Sequence, residues 1–202
     1  MYEAGKIRLR PLERSDLTLV HELENDQYVT YYSRGIVINF KNMDEIIKEY
    51  EEDLKGNRKR FVVEEIDNKK SVGIASIYDN PGPIKRAGIG LYTKKEYWNS
   101  GFGKVATFIL LEMLFYFLDY EKVEAWSAEY NKRAHRVLMD NGFILEGKVR
   151  RGLKVAGKYY DWYLFGILRE EYFEKRIDII NKILGEYAKD YLEKLKLFSP
   201  HG

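Results

Sequence analysis

The chain has 202 residues, 45% hydrophobic and 15% aromatic, enough for one substantial packed domain and too apolar for a disordered chain. Its 34 basic and 32 acidic residues leave a net charge of +2, so no overall field favours nucleic acid, and no specific nucleic-acid partner is expected. There is no cysteine and only three scattered histidines, His21, His135 and His201, which excludes disulfides and thiolate chemistry and gives no expectation of a metal.

Ile7–Leu12 alternates and reads as a strand, and Ser15-Asp16 caps a helix to about Asn25. Tyr28–Ile38 reads as a loop. Asn42–Leu54 is a helix with Ile46, Ile47, Tyr50 and Leu54 on one face. Phe61–Ile66 and Ser71–Tyr78 flank the polar turn Asp67–Lys70 and read as a hairpin. A strand follows at Arg86–Thr93, then a polar loop, a Gly-Phe-Gly turn (Gly101–Gly103) and an apolar helix, Lys104–Phe117. Lys122–Ala128 is a strand, Asn131–Asn141 a helix ended by Gly142, and Ile144–Leu153 and Lys158–Leu168 the last strands. From Arg169 the pattern becomes a charged helix of about 25 residues with an apolar seam: Phe173, Ile177, Ile180, Leu184, Tyr187 and Tyr191. That seam suits either packing on its own domain or a homodimer contact. The domain is therefore expected over 1–168, with a helical extension over 169–202. The N-terminus lacks a signal-like apolar core. The longest apolar run, within Val105–Leu118, is broken by Thr107 and Glu112 and is too short for a bilayer, so a cytoplasmic protein without membrane contact is expected.

The Gly-Phe-Gly turn is the most informative segment. Glycines at a helix start let unpaired N–H groups converge on an anion. A nucleotide P-loop fails, because Val105 follows Gly103-Lys104 and Trp98 stands at the first glycine position. A dinucleotide fingerprint is matched only formally by Gly101, Gly103 and Ala106. Seven residues separate the turn from its strand, and no strand–helix alternation follows. A coenzyme A pyrophosphate loop is the third reading.

Four segments in order decide among these. They are Ile7-Arg-Leu-Arg-Pro-Leu-Glu-Arg-Ser-Asp16; Tyr97-Trp-Asn-Ser-Gly-Phe-Gly-Lys104; Asn131 with Gly142-Phe143; and Glu146-Gly147 to Arg150 with Gly157-Lys-Tyr-Tyr-Asp161. Together they resemble the GCN5-related N-acetyltransferase (GNAT) family over Lys6–Tyr172, and within it the ribosomal-protein N-terminal and spermidine acetyltransferases. The resemblance implies an α/β fold of the α+β type, a mixed and mostly antiparallel sheet flanked by helices. It implies an acyltransferase with acetyl-CoA as co-substrate. The leading acceptor is a protein N-terminal amine, with a polyamine or other small amine as the alternative. An acetyl-CoA-binding sensor with little catalysis is a reading of another class.

The resemblance also assigns residues. The pantetheine arm would lie on the backbone of Leu91, Tyr92 and Thr93. The pyrophosphate would rest on Trp98, Asn99, Ser100, Gly101, Phe102, Gly103 and Lys104. Asn131 would bond the arm, and Arg133 and Arg136 would reach the nucleotide phosphate. Two positions depart from the pattern. Leu138 stands where the family carries its tyrosine acid, and Gly88 where it often carries a glutamate. Candidate acids in their place are Tyr130 and Tyr92; candidate bases are Glu24, Glu129 and Asp79. The acid and aromatic residues of Glu22–Gly35 should border an amine entrance. Asp161 and the basic stretch Lys148–Lys158 lie on the same side.

Overall fold

A computed structural model describes residues 2–35 and 40–197. His201, the last residues of the extension and 36–38 of the expected Tyr28–Ile38 loop lie outside them. The elements run β1 (Tyr2–Ala4), β2 (Ile7–Pro11), α1 (Leu17–Asn25), α2 (Gln27–Arg34), α3 (Met43–Lys55), β3 (Arg58–Glu65), β4 (Lys70–Asn80) and β5 (Arg86–Thr93). Then come α4 (Phe102–Leu111), β6 (Lys122–Ala128), α5 (Lys132–Asp140), β7 (Ile144–Val155), β8 (Lys158–Leu168), α6 (Arg169–Leu184) and α7 (Ala188–Lys196). The strands form one sheet in the order β1-β2-β3-β4-β5-β6-β8-β7. Every pairing is antiparallel except β5 with β6.

Each face carries its own core. On one, Ala87 and Ile89 of β5 meet Phe108, Ile109 and Leu111 of α4 and the buried residues of α6 and α7. On the other, Leu17, Val20 and Leu23 of α1, Val29 of α2 and Ile46 of α3 cover Val62 and Ile74. This is the layered solution for a sheet whose alternating side chains are apolar in both directions.

Three expectations need correction. Gln27–Arg34 is a helix, not a loop. Asp26 caps it by accepting the N–H groups of Tyr28 (2.8 Å) and Val29 (3.0 Å), and Gly35 closes it in the left-handed region at φ 71°. The apolar helix after Gly103 is α-helical only to Leu111 and continues as a π-helical turn, Glu112–Phe117. The C-terminal segment is two helices, because the chain turns at Gly185 (φ 53°, ψ −118°), a backbone open to glycine.

That turn brings Tyr191 and Leu195 back onto the core beside Ile180 and Leu184. Of the seam, Phe173 and Ile177 remain exposed. The buried Glu112 carboxylate ties both helices down. It accepts from Arg176 Nε (2.8 Å) and Nη2 (2.7 Å), from Tyr191 Oη (3.0 Å) and from Tyr172 Oη. The helical extension thus packs into the main core through Tyr172, Ile179, Ile180, Leu184, Tyr191 and Leu195.

Candidate active site

The parallel pair β5–β6 is joined only over Arg86–Gly88 and Lys122–Glu124. Beyond that point Ile89–Thr93 and Ala125–Ser127 wall a cleft of about 400 Å³. The Gly101 turn closes one end, α5 lines a flank, and the last turn of α2 hangs over it. Parallel strands that separate leave backbone N–H and C=O groups without a ladder partner, so the cleft edge can bond an extended amide-bearing chain.

At the anion end, Gly101 has φ 88°, and a Cβ there would meet nothing within 4 Å. Asn99 is also left-handed, at φ 65°. Ser100 Oγ accepts the Phe102 N–H (3.3 Å) and donates to Tyr97 O (2.7 Å). The N–H groups of Lys104 and Val105 both go to Gly101 O. Those of Asn99, Gly101 and Gly103, whose residues line the cleft, have no protein partner among the described residues. A Cβ at Gly103 would make only ordinary contacts, 3.5 Å to Leu91 and 3.9 Å to Val137. Trp98 Nε1 donates to Thr93 O at 3.2 Å and pins the loop to the end of β5.

The cations divide. Lys104 Nζ lies 2.6 Å from Asp140, which also holds Lys182 at 2.7 Å. These partners keep the Asp140 carboxyl below its usual range. Lys104 thus shares one carboxylate with Lys182 and still lines the cleft. Arg133 stacks its guanidinium over Trp98 (3.6 Å) and Tyr32 (4.4 Å). Arg136 stands exposed at the mouth. Asn131 is used twice: Oδ1 accepts the Ala134 N–H (3.1 Å) as the α5 cap, and Nδ2 donates to Tyr32 O (2.8 Å).

The proposed proton carriers fare differently from the coenzyme residues. Tyr130 and Glu129 do not line the cleft. Tyr130 Oη donates to Tyr31 O at 2.8 Å and its ring stacks on Tyr31. Burial, then Tyr31 and Tyr160, push that phenol above its usual range. Glu129 accepts the Asp161 N–H and braces β8. Glu24 is buried, paired with the Arg34 guanidinium and Lys41 Nζ (3.3 Å), and accepts from Tyr92 Oη (3.2 Å). Tyr92 lines the cleft, but its hydroxyl is directed at Glu24. Burial, with the Glu24 charge, raises its pKa. Asp79 accepts from Tyr120 at 3.0 Å.

On the acceptor side, Glu22 pairs with Lys94 at 3.0 Å, Asp26 caps α2, and Tyr28 faces Lys95. Among the described residues no Asp or Glu lines the cleft; its charged groups are Arg34, Lys104, Arg133 and Arg136. Its rings are Tyr32, Tyr78, Tyr92, Tyr97, Trp98 and Trp126. Sequence reasoning missed Tyr78, Trp126 and Ser127. Trp126 is half-exposed on β6, an outward aromatic in an alternating strand. Ser127 Oγ is buried without a protein partner among the described residues. Such a group calls for a ligand atom in the cleft.

The splayed strands, the three N–H groups at the turn, the open space at Gly101, the orphan Ser127 hydroxyl and two arginines fit acetyl-CoA: a polar, amide-bearing arm with phosphates at one end. They define an acyl-CoA-dependent transferase fold. An acetyltransferase (GNAT) domain model matches residues 6–144, and the chain belongs to this family. It is an N-acetyltransferase that uses acetyl-CoA. It is 28% identical over 166 residues to an uncharacterized N-acetyltransferase, YokL, of Bacillus subtilis, spanning 82% of this chain and 92% of that one. It is 25% identical over 172 residues to the spermidine N(1)-acetyltransferase of Vibrio cholerae (85% and 98%). The crystal structure of the Vibrio cholerae spermidine N-acetyltransferase with CoA and spermine superposes with a TM-score of 0.77, at 25% identity, over 83% of this chain and 98% of that one. A putative ribosomal N-acetyltransferase, YdaF, of Bacillus subtilis is 29% identical over 100 residues, half of this chain and 55% of that one.

Proposed function

We propose that the acceptor is a small primary amine of the polyamine class, not the protein N-terminal amine expected first. Support comes from the likeness to spermidine acetyltransferases along nearly their whole length. The observation that carries it is the pair of half-exposed rings in the cleft wall, Tyr78 and Trp126. Ring faces attract an alkyl ammonium by about 0.5–2 kcal/mol each, and they also bury the methylenes between its nitrogens. In this reading the coenzyme's pyrophosphate rests on the N–H groups of Asn99, Gly101 and Gly103. Its arm follows Leu91–Thr93 toward Ser127, and Arg133 and Arg136 meet the nucleotide phosphates. An amine attacking the thioester needs its carbonyl oxygen held by a strand N–H at about Leu91.

A second reading keeps a peptide N-terminus. Its support is the basic β7–β8 hairpin, with Lys148, Arg150, Arg151, Lys154 and Lys158, beside the half-exposed Trp126. The test is thiol release from acetyl-CoA with spermidine, spermine, short diamines and N-terminal peptides. Polyamine kcat/KM at least about tenfold above any peptide is expected; the reverse order overturns the proposal. Tight coenzyme binding with no thiol release from any amine would instead mark a sensor.

A further inference from the structure

We propose that Tyr78 is the catalytic proton donor to the departing thiol, standing in for the tyrosine and glutamate whose places are held by Leu138 and Gly88. Tyr78 lies on β4 directly across from Gly88. Side chains at 88, 90 and 92 share one face of β5. A Cβ at Gly88 would lie 3.7 Å from Tyr78 Cβ. One at Gly90 would lie 3.3 Å from its Cε2 and 3.5 Å from its Oη. Neither glycine has a left-handed backbone, and glycine weakens a strand interior. The Tyr78 ring lies along β5 from Gly88 to Gly90, where a Cβ would fit tightly against it at Gly90 and make ordinary contacts at Gly88. Its hydroxyl ends above the residue that precedes Leu91, where the strands part.

The ring is 41% exposed and lines the cleft, so a substrate can reach it. The neighbouring phenols are occupied: that of Tyr92 donates to Glu24, and that of Tyr130 to Tyr31 O. Resting on the acetyl-transfer reading, the step balances as follows. The neutral amine forms a C–N bond to the thioester carbon, and the carbonyl oxygen takes the negative charge. Collapse restores C=O and breaks C–S. The Tyr78 hydroxyl gives its proton to sulfur, leaving CoA as the thiol. The phenoxide then takes the proton shed by the acetylated nitrogen, and the products are the neutral amide and the starting phenol.

The test is Tyr78→Phe, which keeps the ring over both glycines. With whichever amine the wild type turns over, kcat should fall about 100-fold. The fall of kcat at alkaline pH should disappear, while acetyl-CoA affinity and melting temperature stay unchanged. Gly90→Val, which pushes the hydroxyl aside, should cut kcat comparably. Leu138→Tyr in the Tyr78→Phe background should restore it. Wild-type kcat in Tyr78→Phe, or an equal loss of coenzyme affinity, overturns the assignment. A wild type that prefers peptides to polyamines would sink the acceptor proposal and leave Tyr78 standing.

Discussion

Substituting alanine separately at Gly101 and Gly103 separates backbone need from steric need in the anion turn. Gly101 sits at φ 88°, ψ −14°, as the cap of α4, with nothing within 4 Å of a built Cβ. The cost of Gly101→Ala is therefore torsional, about 1–2 kcal/mol for a left-handed L-residue. In a chain of this size each kcal/mol is about 2–4 °C, so the melting temperature should fall by about 2–8 °C. Relief of that strain by rotation of the turn re-aims the Gly101 and Gly103 N–H groups. Losing one hydrogen bond to a charged phosphate, about 1.5–3 kcal/mol, weakens acetyl-CoA binding about 10- to 100-fold by calorimetry. Gly103 is the control. It is not left-handed, and its Cβ would make an ordinary 3.5 Å contact with Leu91. Alanine there should be neutral or gain up to about 1 kcal/mol of helix stability. Gly101→Ala with wild-type melting and affinity would refute the reasoning, as would Gly103→Ala destabilising as much as Gly101→Ala.

Arg176→Leu should cost about 3–5 kcal/mol in urea denaturation, because it leaves the fully buried Glu112 without its guanidinium; adding Glu112→Gln should recover much of the loss. His135, stacked between α5 and β8 on Tyr163 with Nε2 3.0 Å from Ala128 O, has its pKa lowered by burial, and Lys132 adds to this. The folded state then binds fewer protons than the unfolded chain below about pH 6.5, so stability should fall as pH drops through that value toward the folded pKa. A His135→Gln variant with the same decline in its urea midpoint between pH 7 and 5 would refute that origin.

The backbone of the anion turn and of the α5 cap was legible because its signals are local. Gly101 and Gly103 at a helix start and Asn131 before α5 declare their backbone roles by residue type and spacing. The sheet was legible for the same reason: Arg86–Thr93 and Lys122–Ala128 form strands with those bounds. What was not legible depended on distant partners. Glu24 read as a candidate base, yet the fold brings Arg34, Lys41 and Tyr92 onto it from α2, the segment leading into α3, and β5. That Lys104 shares Asp140, at the far end of α5, with Lys182 of α6 was equally hidden. The seam after Arg169 read as one helix because its spacing survives the Gly185 turn, which only tertiary packing reveals. Tyr78 was passed over because its meaning lies in two glycines ten and twelve residues away, across a strand pairing.

The coenzyme side and the acceptor side of this cleft are not separate modules. Asn131, the cap of α5, donates to Tyr32 O, and its neighbour Tyr130 donates to Tyr31 O, so two hydrogen bonds hang the end of α2 from the β6–α5 junction. Arg133 lies against Trp98 of the anion loop and Tyr32 of α2 at once. A coenzyme group that binds Asn131 or Arg133 meets side chains that already contact Tyr32. By linkage, whatever loosens that end of α2 changes coenzyme affinity by the same free energy that the coenzyme changes α2. On the proposed acceptor reading, Arg133 bears on the amine as well as on the coenzyme. Removing the Arg133 side chain should alter the KM of the amine as well as that of acetyl-CoA.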